Sequence, residues 1–203
     1  MKTRVVVMLG MKGGTGKSTV AIHLAVAAAQ AKRRVMLLDT DPQATAMRWT
    51  RQRQAPEPTV KSAPAYEAAK HMTANGYDLV MVDTAPRAEA DISRLAAMAD
   101  LIVIPLHCTM PDLDASEVAF QMAEAAGRPF VVVFNAVNPR GLEVAEVREA
   151  LSGQGYTVAP VVLAHRTSFA RALSSGLAVT EFERHGQAAE EITNLWKWIA
   201  KQL

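Results

Sequence analysis

A glycine-rich segment with two lysines, residues 12–19, has the clearest chemical signature in the chain. Glycines allow successive backbone N–H groups to turn toward an anion, and the start of a helix adds a positive partial charge. A short apolar run precedes the segment and a helical pattern begins within it, which is the order that a phosphate site requires. We therefore predict a nucleotide phosphate loop made of Lys12, Gly13, Gly14, Thr15, Gly16, Lys17, Ser18 and Thr19.

Two residues of this loop have roles that follow from their chemistry. Lys17 would place a positive charge at the β and γ phosphates of a nucleotide, and Ser18 would offer its hydroxyl to Mg²⁺. The general pattern G-x-x-x-x-G-K-[ST] requires glycine at the position of Met11, so the loop departs from that pattern. Lys12 is a second lysine that such a loop does not need, which makes it the most informative residue of the segment.

Carboxylates follow two of the apolar runs. Asp39 and Asp41 follow the run RVMLL, and Asp83 follows the run LVMV. A buried acid at the end of a strand is unfavourable unless it meets a cation or hydrogen-bond donors, and hydrated Mg²⁺ provides both. We therefore expect Asp39 and Asp83 to act with Ser18 at a magnesium site. The alternative for Asp39 or Asp41 is that the side chain caps the helix that follows.

Short apolar runs alternate with helical patterns along the chain. Uninterrupted apolar runs indicate strands buried on both faces, and helices between them make the connections of a parallel sheet. The predicted strands are 4–9, 34–38, 79–82, 101–104, 130–134 and 158–163, and the predicted helices are 17–31, 44–53, 89–98, 112–126, 142–151 and 188–203. The predicted fold class is α/β, a doubly wound, mostly parallel sheet with helices on both faces. Residues 54–64 contain three prolines and are expected to form a loop or an edge strand.

The composition favours a cytoplasmic protein with a single domain, residues 1–203. The first predicted strand begins at residue 4, so we expect no N-terminal helix-turn-helix domain before it. The chain has 203 residues, a formal net charge of +2 and one cysteine, so an intrachain disulfide is excluded. No segment approaches the ~20 apolar residues that cross a bilayer. The C-terminal helix has only two lysines on its polar face, so we expect it to cover the sheet and membrane binding to be unlikely.

Three motifs together resemble those of a known family. Residues 12–18 fit K-G-G-x-G-K-[ST], the deviant Walker A motif of the ParA and MinD ATPases. Residues 39–43 (DTDPQ) resemble the Walker A′ motif of the ParA branch, and residues 78–83 (DLVMVD) resemble a Walker B strand. Segments 105–114 and 163–179 also look like parts of partition ATPases, so the resemblance covers nearly the whole chain. The chain is identified as a member of this branch of P-loop NTPases, most similar to the small ParF-like plasmid partition ATPases.

The resemblance implies roles for individual residues. Lys12 matches the lysine that reaches across a dimer to the nucleotide of the other protomer, and Asp41 matches the acid that orients or activates the attacking water. Lys12, Lys17 and Asp41 are therefore the expected catalytic residues. Asn135 matches an asparagine that contacts adenine in several relatives, although asparagine after a strand is also a common turn residue.

The resemblance also implies a function. It indicates a slow, partner-stimulated ATPase that requires Mg²⁺, forms an ATP-bound sandwich dimer on nonspecific DNA at the nucleoid, and drives plasmid or chromosome partition with a small centromere-binding ParB/ParG-like protein. Arg166 and Arg171 lie in a region that resembles the DNA-facing side of the family, and contacts to phosphates would not depend on sequence. One alternative is an ATPase that positions a protein cargo, such as a chemoreceptor array or a microcompartment. The other is a P-loop small-molecule kinase or ligase, against which Lys12 argues.

Overall fold

The computed structural model describes residues 2–86, 90–138 and 140–203. Within these residues, six strands form one sheet in which every neighbouring pair is parallel, in the order β3-β2-β4-β1-β5-β6. The strands are β1 (Arg4–Met8), β2 (Val35–Asp39), β3 (Thr59–Ser62), β4 (Leu79–Asp83), β5 (Leu101–Leu106) and β6 (Phe130–Phe134). The helices are α1 (Lys17–Gln30), α2 (Thr45–Thr50), α3 (Ala65–Met72), α4 (Ala90–Ala97), α5 (Met110–Ala125), α6 (Leu142–Gly153), α7 (Thr167–Ser174), α8 (Val179–Phe182) and α9 (Gln187–Ile199). The predicted α/β fold class is confirmed.

The side chains of the central strands alternate between two hydrophobic cores, one on each face of the sheet. Val6 and Met8 of β1 pack in the core that contains α1 and α9, whereas Val5 and Val7 pack in the core that contains α3, α4, α5 and α6. Strands β2, β4 and β5 are buried along their whole length because helices cover both faces. The parallel arrangement brings the carboxyl ends of β1, β2 and β4 to one edge, where the loops that follow them meet.

One predicted strand is wrong. Residues 158–163 follow an irregular path beside β6 and make only isolated bridges, Val132 with Val158 and Val137 with Ala164. The physical reason is Pro160, which has no N–H to donate to a sheet ladder in the middle of the segment. The backbone bonds from Ala159 to Val132 and from Leu163 to Phe134, on either side of this proline, hold the segment beside β6.

The remaining elements agree with the prediction to within a few residues. Segment 54–64 contains β3, which is the edge strand beside β2, and α9 packs against α1 as the amphipathic pattern indicates. Helices α3, α7 and α8 are absent from the predicted helices, and Glu89, the predicted start of α4, lies outside the described residues. No helix within residues 2–86, 90–138 and 140–203 has the length and apolar character needed to span a bilayer.

Candidate active site

The glycine-rich loop connects the end of β1 to the start of α1. Gly14 and Gly16 have φ angles of 86° and 91°, a backbone region that residues with a Cβ rarely adopt. At Gly16 a Cβ would also lie 2.1 Å from Nδ2 of Asn135. Gly16 is therefore required both for its backbone angle and for the close approach of Asn135.

Asn135 braces this loop from the end of β6. Its Nδ2 donates a hydrogen bond of 2.8 Å to the carbonyl oxygen of Thr15, and the residue is 7% exposed. Asn135 also lines a cavity of about 400 Å³ beside the loop, together with Gly14, Thr19 and Phe169. This cavity lies where a base attached to loop-bound phosphates could sit. Asn135 is therefore suitably located for the predicted contact with adenine, which stays a prediction.

Lys17 lies folded beneath the loop. Its Nζ donates to the carbonyl oxygen of Lys12 at 3.3 Å, and the residue is 6% exposed. Burial lowers the pKa of Lys17, and the negative charges of Asp83 and Asp41 oppose this change. The ends of β2 and β4 therefore bring both acids close enough to Lys17 to influence its charge.

Asp83 is a buried carboxyl group with no ordinary partner. It ends β4, is fully buried, and stands in register with Met8 of β1 and Asp39 of β2. Among the described residues, no donor meets either carboxylate oxygen with ordinary hydrogen-bond geometry. Burial raises the pKa of Asp83 to about 7, and the nearby hydroxyl of Ser18 and charge of Lys17 counteract this rise in part.

These features fit a magnesium site. An unpartnered buried carboxylate is strongly unfavourable, and a hydrated divalent cation provides the charge and the hydrogen-bond donors that are missing. Ser18 and Asp83 have the hydroxyl and carboxylate oxygens that suit Mg²⁺. The donor set therefore fits the predicted ion, with Asp83 in the more suitable position of the two predicted carboxylates.

Asp39 already has hydrogen bonds to both of its carboxylate oxygens. Oδ1 accepts from the N–H of Asp41 at 3.2 Å, and Oδ2 accepts from the N–H of Met47 at 3.0 Å, in the first turn of α2. Burial raises the pKa of Asp39, and these backbone bonds oppose the rise. Asp39 therefore tethers β2 to α2, which is the capping alternative, and its metal role stays a prediction.

Asp41 is half-buried at the beginning of the segment between β2 and α2. Its Oδ1 accepts from the N–H of Gln43 at 2.8 Å, an interaction that shapes the turn rather than the helix end. The helix itself begins after Ala44, and the Ala44 side chain makes no capping hydrogen bond. Asp41 is therefore not the helix cap of the alternative reading, and its predicted role toward water stays untested.

Lys12 is paired within its own chain. Its Nζ donates to Oδ1 of Asp112, in the first turn of α5, and the Lys12 side chain is half-exposed. Sequence reasoning did not single out Asp112. The pattern Thr109-x-x-Asp112 signals a helix start, because Thr109 caps α5 by accepting from the N–H of Asp112, but it does not reveal a lysine 100 positions away as the partner.

Arg166 and Arg171 lie together at a second place. Both line a polar cavity of about 940 Å³ near the first residues of α7 and α9, with His165 and His185. Arg166 is held by an ion pair of 2.7 Å with Glu191, whereas the guanidinium of Arg171 lies 5.6 Å from the ring centre of Phe182. The predicted pair of basic residues is thus brought together, with Arg171 the more exposed of the two.

Comparisons with known proteins identify the family and the fold of the chain. Residues 6–179 match the family described as CobQ/CobB/MinD/ParA nucleotide binding domain. Maintenance of carboxysome distribution protein A of Gloeobacter kilaueensis is 30% identical over 98% of this chain and 94% of its own length, and Protein ParA of Rhizobium radiobacter is 29% identical over 85% and 83%. The structure of the septum site-determining protein MinD of Pyrococcus horikoshii, complexed with Mg-ADP, superposes with a TM-score of 0.80 at 14% identity over 98% of this chain and 96% of that one, which shows a shared fold.

Proposed function

The chain belongs to the CobQ/CobB/MinD/ParA nucleotide-binding family, and on this premise we propose that it is a magnesium-dependent ATPase that dimerises when it binds ATP. The observation that carries this proposal is Asp83, a buried carboxyl group beside Ser18 and Lys17 whose oxygens have no donor with ordinary hydrogen-bond geometry in the part of the chain that the structure describes. A site that only held the fold together would satisfy such a group within the protein. An unsatisfied acid under a phosphate loop instead suits a site that is completed by a ligand.

The residues of the loop would bind and orient the triphosphate. Backbone N–H groups around Gly14 and Gly16 would face the phosphates, and Lys17 would add its charge at the β and γ positions. Mg²⁺, held through Ser18 and Asp83, would neutralise charge on the transferring phosphoryl group. Asp41 would orient the attacking water, while Asn135 keeps the loop in shape by its bond to Thr15.

Lys12 supports a mechanism that requires two chains. In the single chain its ammonium contacts Asp112 of α5, away from the centre of its own loop, where Lys17 lies. Because the side chain is half-exposed, Lys12 could leave this pair and reach a second molecule that approaches the loop. In the proposed dimer, Lys12 of each chain would stabilise charge at the nucleotide of the other, so hydrolysis would depend on dimerisation.

The proposed role of the ATPase is plasmid or chromosome partition, at the nucleoid of the cytoplasm. Arg166 and Arg171 line the same cavity, and since Arg166 is paired with Glu191, Arg171 would provide most of the positive charge there for DNA phosphates. A dimer would present two such cavities and would bind DNA phosphates without regard to sequence. A small ParB/ParG-like protein would stimulate hydrolysis, and loss of the γ-phosphate would release the dimer from DNA.

A second candidate is an ATPase of the same mechanism that positions a protein cargo. The similarity to Maintenance of carboxysome distribution protein A extends over 98% of this chain and favours it specifically. The two candidates share the nucleotide site and the dimer, and they differ in the cargo. A small-molecule kinase or ligase has less support because Lys12 would have no task in it.

The test is a titration of duplexes of unrelated sequence, at two salt concentrations, with ATP and then with ADP. DNA partition predicts binding with ATP alone, equal for all sequences and weaker at high salt because released counterions contribute less. Equal binding with both nucleotides would contradict the proposed switch. ATP hydrolysis without any DNA binding would instead support the second candidate, an ATPase that positions a protein cargo without binding DNA.

A further inference from the structure

The ion pair between Lys12 and Asp112 connects the phosphate loop to the first turn of α5. Asp112 is firmly placed: its side chain is 8% exposed, and its Oδ2 accepts from Oγ1 of Thr109 at 2.6 Å. The Nδ1 atom of His107 lies 3.8 Å from the same oxygen. Lys12 is long and half-exposed, so it is the partner that can leave.

We propose that Asp112 is a positioning residue that holds Lys12 on its own chain and releases it when a second chain joins. This inference rests on the proposed function, in which Lys12 acts at the nucleotide of the partner. Lys12 cannot occupy both places, so each chain must break its own pair before the dimer site is complete. Asp112 thereby opposes dimerisation until the bound nucleotide offers Lys12 a stronger anion.

The surroundings of Asp112 explain why this hold has an energetic effect. Burial acts to raise the pKa of Asp112, but the hydrogen bonds from Lys12 and Thr109 outweigh it and hold the pKa below its ordinary value. Departure of Lys12 leaves a mostly buried carboxylate without its main countercharge, which is unfavourable. A symmetric dimer breaks two such pairs, so the effect on the dimer dissociation constant is counted twice.

The variant Asp112→Asn separates the charge from the helix cap. Asparagine keeps an oxygen that can accept from Thr109 and keeps the N–H that Thr109 caps, but it removes the charge that holds Lys12. Asp114→Asn is a matched control because Asp114 is an exposed acid on the same helix, two residues further. Both variants change the net charge equally.

The first measurement is the dimer dissociation constant by sedimentation velocity with Mg²⁺ and a nonhydrolysable ATP analogue. A half-exposed ion pair should weaken dimerisation by a factor of about three for each chain. Because a dimer breaks two pairs, the dimer dissociation constant of Asp112→Asn should be about tenfold lower than that of the wild type. The control should match the wild type, and in a Lys12→Ala background Asp112→Asn should change nothing further. Dimers of Asp112→Asn that are equal to or weaker than wild type would overturn the proposal.

The second measurement examines the single chain without nucleotide. The rate at which an amine-reactive reagent acylates Lys12, followed by mass spectrometry, should rise at least about twofold in Asp112→Asn and stay constant in Asp114→Asn, because a paired nitrogen is shielded. Equal labelling in all three proteins would refute the hold of Asp112 on Lys12. A wild-type chain that remains monomeric with the analogue would instead refute the dimer function, so the two failures are distinguishable.

Discussion

Replacement of Asp83 by asparagine should stabilise the ligand-free protein and weaken the nucleotide-bound one. Burial moves the pKa of Asp83 from an ordinary value of 3.8 to about 7. Since each pKa unit corresponds to about 1.4 kcal/mol, the buried charge destabilises the native state by about 4 kcal/mol above pH 7. The asparagine amide leaves its own hydrogen-bonding groups unsatisfied, which costs about 1–3 kcal/mol. The net gain expected at pH 8 is therefore about 1–3 kcal/mol in free energy of unfolding.

The pH dependence of this gain identifies its cause. The native carboxyl group binds a proton below about pH 7 and the unfolded one only below about 3.8, so the penalty is complete above pH 7 and fades as the pH falls toward 3.8. The difference between variant and wild type should thus decrease by about 3 kcal/mol between pH 8 and pH 5.

The assay is urea unfolding at both pH values in EDTA, repeated at pH 8 with Mg²⁺ and ADP. The ligands should stabilise the wild type and have little effect on the variant, because the variant lacks the carboxylate that would hold the ion. Asp114→Asn, which changes an exposed acid, should follow the wild type throughout. A stability difference that does not change with pH, or equal stabilisation of both proteins by Mg²⁺ and ADP, would refute the reasoning.

Further predictions concern hydrolysis, stability and DNA. Asp41→Ala should bind ATP and dimerise but lose ATP turnover, measured as phosphate release. Normal turnover would show that another group orients the attacking water. His23, fully buried and accepting from the N–H of Val179, has its pKa lowered by burial from 6.5 to about 3. The contribution of His23 to the free energy of unfolding is complete above pH 6.5 and declines as the pH falls. Between pH 7 and pH 5 the wild type should therefore lose about 2 kcal/mol more free energy of unfolding than His23→Leu. Equal losses in the two proteins would contradict this prediction. Arg171→Glu should weaken ATP-dependent binding to all duplexes and leave ATP binding intact, as filter binding and nucleotide titration would show, whereas sequence-selective loss would argue against phosphate contacts.

The parts of the site that the sequence predicts are those whose residues are close together in the chain. The phosphate loop from Lys12 to Thr19 and the acid at the end of β4, Asp83, could be placed because a loop between a strand and a helix, and the end of a strand, have local signatures. Parallel pairing then brings Asp83 level with Met8 and Asp39. The topology needed for this arrangement follows from the alternation of strands and helices alone.

The parts that the sequence does not predict depend on contacts between distant segments. Lys12 meets Asp112 across 100 positions, and Arg166 meets Glu191 across 25, so neither pair has a local pattern. The sequence predicts a base contact for Asn135, whereas its bond to Thr15 depends on the space left by Gly16, 119 residues earlier. The false strand 158–163 arose because apolar content outweighed Pro160, whose missing N–H opposes a central strand.

The most direct test of the central claim, that Lys12 acts at the nucleotide of a second chain, is a mixing experiment with Lys12→Ala and Asp41→Ala. Each variant alone should be nearly inactive. In a mixed dimer, the Lys12→Ala chain keeps Asp41 and Lys17 and receives Lys12 from its partner, so an equal mixture should recover about one quarter of the wild-type ATPase rate per chain. An inactive mixture, with mixed dimers demonstrated by sedimentation, would show that Lys12 does not act across chains and would contradict the account.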